Sequence, residues 1–191
     1  MNKQRGQVII IVAVLLMVLL LFLAVIIDGA RIFVEQQEIN RALDAAGKAG
    51  LIVVGDRMVT QVVSAQTAAA SITPSPTLSG STPGPTPTET PAADDFYPWL
   101  TDEDRQTLVA PPLQTAVATH VLGSLQENGL GLENPNVIDI GITYPEDYHP
   151  DDPTLEILLK LDRRVVIIFG KILNLNEGVL SGSSKQTIPQ R

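Results

Sequence analysis

Residues 144–153 hold the densest group of side chains in this chain that could do chemistry. Within ten positions the segment carries Glu146, Asp147, His149, Asp151 and Asp152. Closely spaced carboxylate oxygens are the ligands that Ca²⁺ prefers. The spacing is not that of an EF-hand loop, and prolines at 145, 150 and 153 stiffen the segment. We therefore favour a solvated acidic surface turn over a cation site.

Groups for nucleophilic or acid–base catalysis are scarce. The 191 residues include no cysteine and only two histidines, His120 and His149, and neither has a recognisable catalytic partner. The motifs H-E-x-x-H, G-x-S-x-G and G-x-x-x-x-G-K-[ST] do not occur. His120 falls on or near an apolar helix face, where a structural histidine is expected. We predict that the protein is not an enzyme, with no catalytic residues, no metal and no cofactor.

The charge balance argues against one class of binding partner. The chain has 13 Lys+Arg against 21 Asp+Glu, a net charge of −8. An acidic chain does not condense on a phosphate backbone, so we expect no nucleic-acid partner. We also expect no small-molecule substrate, because no motif for one is found.

An apolar run occupies residues 8–27. These 20 residues contain no polar side chain, and a helix of that length spans about 30 Å, the thickness of a bilayer's hydrocarbon core. Lys3 and Arg5 precede the run, so the positive-inside rule places residues 1–7 in the cytoplasm and residues 28–191 outside. The run exceeds a usual signal-peptide core and lacks an A-x-A site after it, which favours an uncleaved single-pass anchor.

The helix is predicted to continue out of the membrane over residues 28–72. No proline occurs there before Pro74, and apolar residues recur every seven positions. Glycines at 47, 50 and 55 predict a kink or break. A helix-packing stripe of small residues would let a neighbouring element approach closely; it consists of Ala42, Ala45, Ala46, Ala49 and Gly50. We expect the chain's own distal domain to cover the distal half of this helix. Other subunits are expected to cover the membrane-proximal half, which the domain is not expected to reach.

The distal part divides into a Pro/Thr/Ser-rich linker or loop, residues 73–94, and a cap domain, residues 95–191. Three aromatic residues at 96–99 would anchor the chain again after the linker. Thr101 and Asp104 form a capping box for a short helix that Pro111 ends, and a second helix ends at Gly129. Strands are predicted near 137–144, 155–162 and 179–188, whereas 165–173 fits either a strand or a buried helix. The predicted fold class is α+β: a long transmembrane and amphipathic helix followed by a small cap of helices on an antiparallel sheet.

Taken together, the N-terminal residues resemble the TadE/TadG-like proteins of bacterial Flp (tight-adherence) pilus systems. The resemblance rests on a basic-Gly start at residues 5–7, the apolar run and a stretch ending at Ala49-Gly50. The family-motif positions are Asp28, Arg31, Asn40, Leu43 and Asp44, followed by Ala45 and Ala46. The strand pattern of the cap is also similar to that of TadE-type domains, and the long first helix is pilin-like.

The resemblance implies a non-enzymatic envelope protein, a minor pilin or assembly factor of a Flp-type adhesion pilus. Its partners would be the lipid bilayer and other pilin-like or pilus-assembly membrane subunits, at the bacterial cell membrane or in a pilus. The alternative is a membrane-tethered extracytoplasmic binding module for a surface glycan, a protein or a cation, using the aromatic residues or the acidic loop.

The start of the chain bears on processing. Pilin-like members of such systems are cut by a prepilin peptidase after a glycine and carry glutamate five residues beyond the cut. Gly6 and Gln7 are the corresponding pair here, but Ile11 stands at the fifth position. The substitution predicts that residues 1–6 are retained.

Overall fold

A computed structural model describes residues 4–71, 100–149, 154–170 and 176–189. Three helices and three strands follow one another along the chain: α1 Gln4–Ser71, α2 Asp102–Leu108, α3 Pro111–Glu127, β1 Val137–Thr143, β2 Thr154–Val166 and β3 Glu177–Pro189. The predicted class, a long N-terminal helix followed by small helices and an antiparallel sheet, is confirmed. The predicted linker at 73–94 and the aromatic residues at 96–99 lie outside the described residues.

Helix α1 runs for 68 residues without interruption. The break expected at its glycines does not occur, and two of the glycines allow close packing. A Cβ atom on Gly47 would lie 2.5 Å from Cγ of Gln186, and one on Gly50 would lie 3.0 Å from Cγ2 of Val121. Both glycines are buried, so they allow the sheet and α3 to approach the helix backbone closely.

Helix α2 begins at its predicted capping box, whereas α3 begins at a proline that was predicted to end the preceding helix. The Thr101 hydroxyl accepts a bond from the Asp104 amide at 3.1 Å, and the Asp104 carboxylate accepts one from the Thr101 amide at 3.0 Å. This is the predicted capping box. Helix α2 ends at Leu108, before the prolines at 111 and 112. Pro111 is instead the first residue of α3, a position where the missing proline N–H leaves no helical bond unmade.

The sheet has the order β1-β2-β3, and both pairs of strands are antiparallel. Strand β2 pairs with β3 along its whole length, from Thr154 opposite Pro189 to Val166 opposite Glu177. The ambiguous segment that starts at 165 is therefore strand as far as Val166. Alternate residues of β2 are buried and form the inner face of the sheet: Leu155, Ile157, Leu159 and Leu161.

The core lies between α1, α3 and that inner face. Helix α1 contributes Ile39, Leu43 and Val54, and α3 contributes Val121 and Leu125, all fully buried. The apolar positions of both helices recur at three- and four-residue spacing, so each helix turns one stripe toward the sheet. The cap and the part of α1 from Ile39 to Val62 thus share a single core.

The Tyr144 hydroxyl is a polar group at the edge of this core, and it is hydrogen-bonded. The Tyr144 hydroxyl donates to the carbonyl of Leu108 at 2.7 Å, which ties the end of β1 to the end of α2. Burial raises the pKa of the Tyr144 phenol, so the group stays a donor at any physiological pH.

Candidate functional site

Asp28 is the first ionisable residue after the apolar run, and only 8% of it is exposed. Its carboxylate accepts three backbone N–H bonds, from Ile168 at 3.1 Å, Phe169 at 2.8 Å and Gly170 at 3.1 Å. Hydrogen bonds to a charged acceptor are stronger than neutral ones. Asp28 therefore fastens the segment that follows β2 to α1, at the point where the apolar run ends.

This contact corrects one expectation from the sequence. The cap domain was not expected to reach the membrane-proximal half of the helix, but it reaches back as far as Asp28. The physical reason is strand length. Strands β2 and β3 have 13 residues each and extend about 40 Å, considerably longer than the predicted 155–162 segment.

Two neighbouring residues of β3, Ser181 and Gly182, dock the strand against α1 beyond Asp28. Gly182 is buried beside Ile39 and Leu43, and a Cβ atom on it would lie 2.9 Å from Cδ1 of Leu43. One turn away, the Gln36 side-chain amide donates to the carbonyl of Ser181 at 3.2 Å. The absence of a side chain at Gly182 therefore sets how closely the strand approaches the helix.

Asp44 makes a third contact between α1 and the sheet, after those of Asp28 and Gly182. One carboxylate oxygen accepts from the Gln186 side-chain amide at 2.6 Å, and the other lies 3.0 Å from the Lys48 ammonium. The hydrogen bond and charge of Lys48, followed by the bond from Gln186, hold the pKa of Asp44 below its usual value. The carboxylate is thus kept charged where β3 crosses the helix.

The predicted small-residue stripe is divided between two surfaces. Ala42, Ala46 and Gly50 are buried within the chain, beneath the sheet and α3, whereas Ala45 is exposed. Ala49 is half-buried and lines a shallow groove beside α3.

The family-motif positions that follow Asp28 have separate roles. Arg31 pairs with Glu35 at 3.0 Å on the helix surface. Asn40 is exposed and accepts from Gln36 at 3.2 Å, while Leu43 is fully buried. Of these three, only Leu43 belongs to the core.

The candidate processing residues lie near the start of α1. Gly6 and Gln7 are within the helix, whose first residue is Gln4.

The residues of the cap that contact α1 were not predicted from the sequence. Gly182, Gln186 and the amides of 168–170 lie in no recognisable motif. The one available signal was a glycine among serines in the last strand, at residues 181–184. Small residues at that point indicate a close approach of backbones, but they do not say which element approaches.

Residues 6–52 match the family model described as "Tad: Putative Flp pilus-assembly TadE/G-like". The resemblance inferred from the residues is thereby confirmed over this segment, about a quarter of the chain. We call residues 6–52 the TadE/G-like segment; it contains the apolar run and the helix face on which the sheet docks. Neither the curated proteins nor the solved structures provide a match to the chain.

The apolar part of the TadE/G-like segment fits a membrane anchor. Among the described residues, one helix is long and apolar enough to cross a bilayer, and only 6% of its most apolar 18-residue window is buried in the protein. A core helix of a soluble protein would be mostly buried. Side chains such as Ile9, Leu15 and Phe22 are instead about two-thirds exposed.

A second surface of α1 faces away from the cap. Five exposed small or apolar residues are spaced 11, 7, 7 and 4 positions apart, which keeps them on one side of the helix. We call this surface the outer stripe; it consists of Val34, Ala45, Ile52, Val59 and Val63. Its predicted member is Ala45. All five members are exposed, and Val34 also lines a groove with Asn128 of the cap. The outer stripe begins inside the TadE/G-like segment.

The acidic loop shows no assembled cation site in the part that the structure describes, which ends at His149. Within the described ranges, no group of three or more His, Cys, Asp or Glu side chains could hold a metal ion. A 2.5 Å contact to Glu156 raises the pKa of Lys185, and the charges of Asp147 and Glu146 add to that effect. Two loop carboxylates therefore already lie in the field of a lysine on β3.

Neither histidine occupies a site of its own. His120 is exposed on α3, beside the groove that Ala49 and Ser124 line, rather than part of the core. His149 is exposed in the acidic loop.

Proposed function

We propose that the protein is a non-enzymatic, membrane-anchored subunit of a Flp-type adhesion pilus system, a minor pilin or an assembly factor. One observation carries the proposal: the match over residues 6–52 spans both the apolar run and the helix face that holds the cap. Residues 8–27 anchor the subunit in the cell membrane, with residues 1–7 in the cytoplasm and the cap outside.

The mechanism is mechanical. Asp28, Gly182 and Asp44 fasten the sheet to α1 at three levels, so the cap and the anchor move together. Any helix that packs beside α1 therefore also positions the cap. The outer stripe is the surface on α1 that remains free for this purpose, and its spacing suits helix–helix packing. Its partner is another pilin-like or pilus-assembly membrane subunit.

Single-cysteine cross-linking in cells tests this function, because the natural chain contains no cysteine. Ile52→Cys places a thiol on the outer stripe, and Thr119→Cys places one on the exposed side of α3 as the matched control. After labelling with benzophenone maleimide and irradiation, which inserts into C–H bonds of any neighbour, we expect Ile52→Cys to be captured in adducts that contain a pilus-system subunit or a second copy. Thr119→Cys is expected to stay monomeric.

Deletion of the pilus-system genes separates specific from random capture. The heteromeric adducts of Ile52→Cys are expected to disappear in that strain. Equal capture from both positions, or heteromeric adducts that persist without the pilus system, would contradict the proposal. A strain that lacks this protein but assembles normal pili would contradict it as well.

A further inference from the structure

The end of the β2–β3 hairpin exposes apolar side chains beside the membrane anchor. Val166 is 43% exposed, Ile168 48% and Phe169 37%. The backbone of the last two is bound to Asp28, the first residue after the apolar run. These side chains are therefore held at the level where the run ends.

Phe169 extends past Asp28 along the anchor. It lines an apolar groove of about 440 Å³ together with side chains of the run: Met17, Leu20, Leu21, Leu23, Ala24 and Ile27. Ala24 lies one helical turn before Asp28, about 6 Å along the axis. Within residues 8–27, all of which the structure describes, Ala24 is the single buried residue.

We propose that the described residues after β2 form a second membrane contact, with Ile168 and Phe169 embedded in the outer leaflet beside α1. This inference rests on the anchoring role given above. The groove that Phe169 lines is continuous with the surface of the run, so lipid that surrounds the anchor also reaches the hairpin. Isoleucine and phenylalanine side chains transfer favourably from water into the membrane.

The hydrogen bonds of the hairpin end suit the same environment. Within a bilayer no water is available for unpaired backbone N–H groups, so an unpaired group is strongly unfavourable there. Asp28 supplies an acceptor for the amides of 168, 169 and 170. On the side toward the cap, the first charged pair is Arg164 with Glu177, 3.4 Å apart and about half exposed. We expect the boundary between membrane and water to lie near this pair.

A lipid contact also accounts for the exposure better than a protein partner does. The groove is open along the run, and among the residues that the structure describes its lining includes no charged residue and no side-chain amide that could select a partner helix. A second copy of the chain would have to insert its own run there, which is an outcome that the experiment distinguishes.

Spin-label accessibility in the full-length protein tests the inference. The protein is reconstituted in vesicles of phosphatidylethanolamine and phosphatidylglycerol, with one nitroxide per variant. Ile168→Cys reports on the hairpin end, Leu20→Cys on the run, and Leu132→Cys, 71% exposed in the turn after α3, on water. Oxygen concentrates in lipid, whereas a nickel chelate stays in water.

We expect the oxygen-to-nickel collision ratio at 168 to resemble that at 20 and to exceed clearly that at 132. A second label at Phe169→Cys is expected to agree. A ratio at 168 equal to that at 132, with 20 still in lipid, would overturn the membrane contact alone. Low access to both reagents at 168 would also overturn it and assign the surface to a protein partner. Nickel access at 20 would refute the anchor itself, and with it the proposed function.

Discussion

At the scale of single residues, Asp28 is the most informative position. The residue is conspicuous in the sequence because it ends the apolar run and matches the TadE/G-like pattern. Its role could not be predicted, since the three amides that it binds lie about 140 positions later. Sequence patterns report local periodicity, whereas such a contact depends on how the whole chain folds back.

Removal of the Asp28 carboxylate is expected to release the hairpin end. In Asp28→Ala the three amides lose their acceptor, and a lost hydrogen bond to a charged group costs about 2 kcal/mol. We expect amides 168–170 to exchange hydrogen about 30-fold faster, measured by mass spectrometry on the full-length protein in vesicles. Asp28→Asn, which keeps one acceptor oxygen, should show a smaller increase. Unchanged exchange in Asp28→Ala would show that the carboxylate does not hold this segment.

At the scale of secondary structure elements, the main result is how closely a helix and a sheet approach. The sequence predicted each element from its periodicity, including the capping box at Thr101 and three strands. It did not predict that glycines would permit the contact. Gly47 and Gly50 counted as helix breakers in the sequence, yet they lie under Gln186 and Ile157 in an unbroken helix. The competing effect is tertiary packing, which offsets the intrinsic cost of glycine in a helix.

The contact of β3 with α1 is expected to fail when Gly182 gains a side chain. Gly182→Val would overlap Ile39 and Leu43, whose branched side chains in a packed core cannot move far. Overpacking of this kind costs about 1–3 kcal/mol. We expect a lower midpoint of thermal unfolding for the cap, measured by circular dichroism in detergent.

Gly178→Ala on the same strand is the matched control. A Cβ atom there meets its nearest neighbour, Cγ2 of Val165, at an ordinary 3.6 Å. The control should unfold within a few tenths of a kcal/mol of the natural protein. Equal midpoints for Gly182→Val and the control would show that β3 does not rest against α1.

At the scale of the whole molecule, the sequence predicted the elements better than it predicted how they pack together. The apolar run, the long helix and the α+β cap all follow from hydropathy and spacing. The path of the sheet along the helix did not, because it depends on pairs such as Asp44 with Gln186, which are 142 residues apart. The function of the outer stripe is likewise not readable from composition, since exposed valines and isoleucines are common on protein surfaces.

The N-terminal residue of the natural protein tests which form of the proposed pilus role applies. We expect the intact mass to include residues 1–6, because Ile11 stands where a prepilin peptidase substrate carries glutamate. Ile11→Glu, expressed together with such a peptidase, is expected to be cut after Gly6 and to begin at Gln7. A natural protein that already begins at Gln7 would make the prediction wrong and favour a true pilin.

The course of the hairpin has a consequence for load. Strands β2 and β3 run alongside α1, with attachments near Asp28 at one end and Asp44 farther along, about 24 Å apart on the helix axis. A pull directed along α1 therefore shears both attachments at the same time instead of peeling them one after the other. We therefore expect the protein to resist a force along α1 better than a sideways pull on the cap.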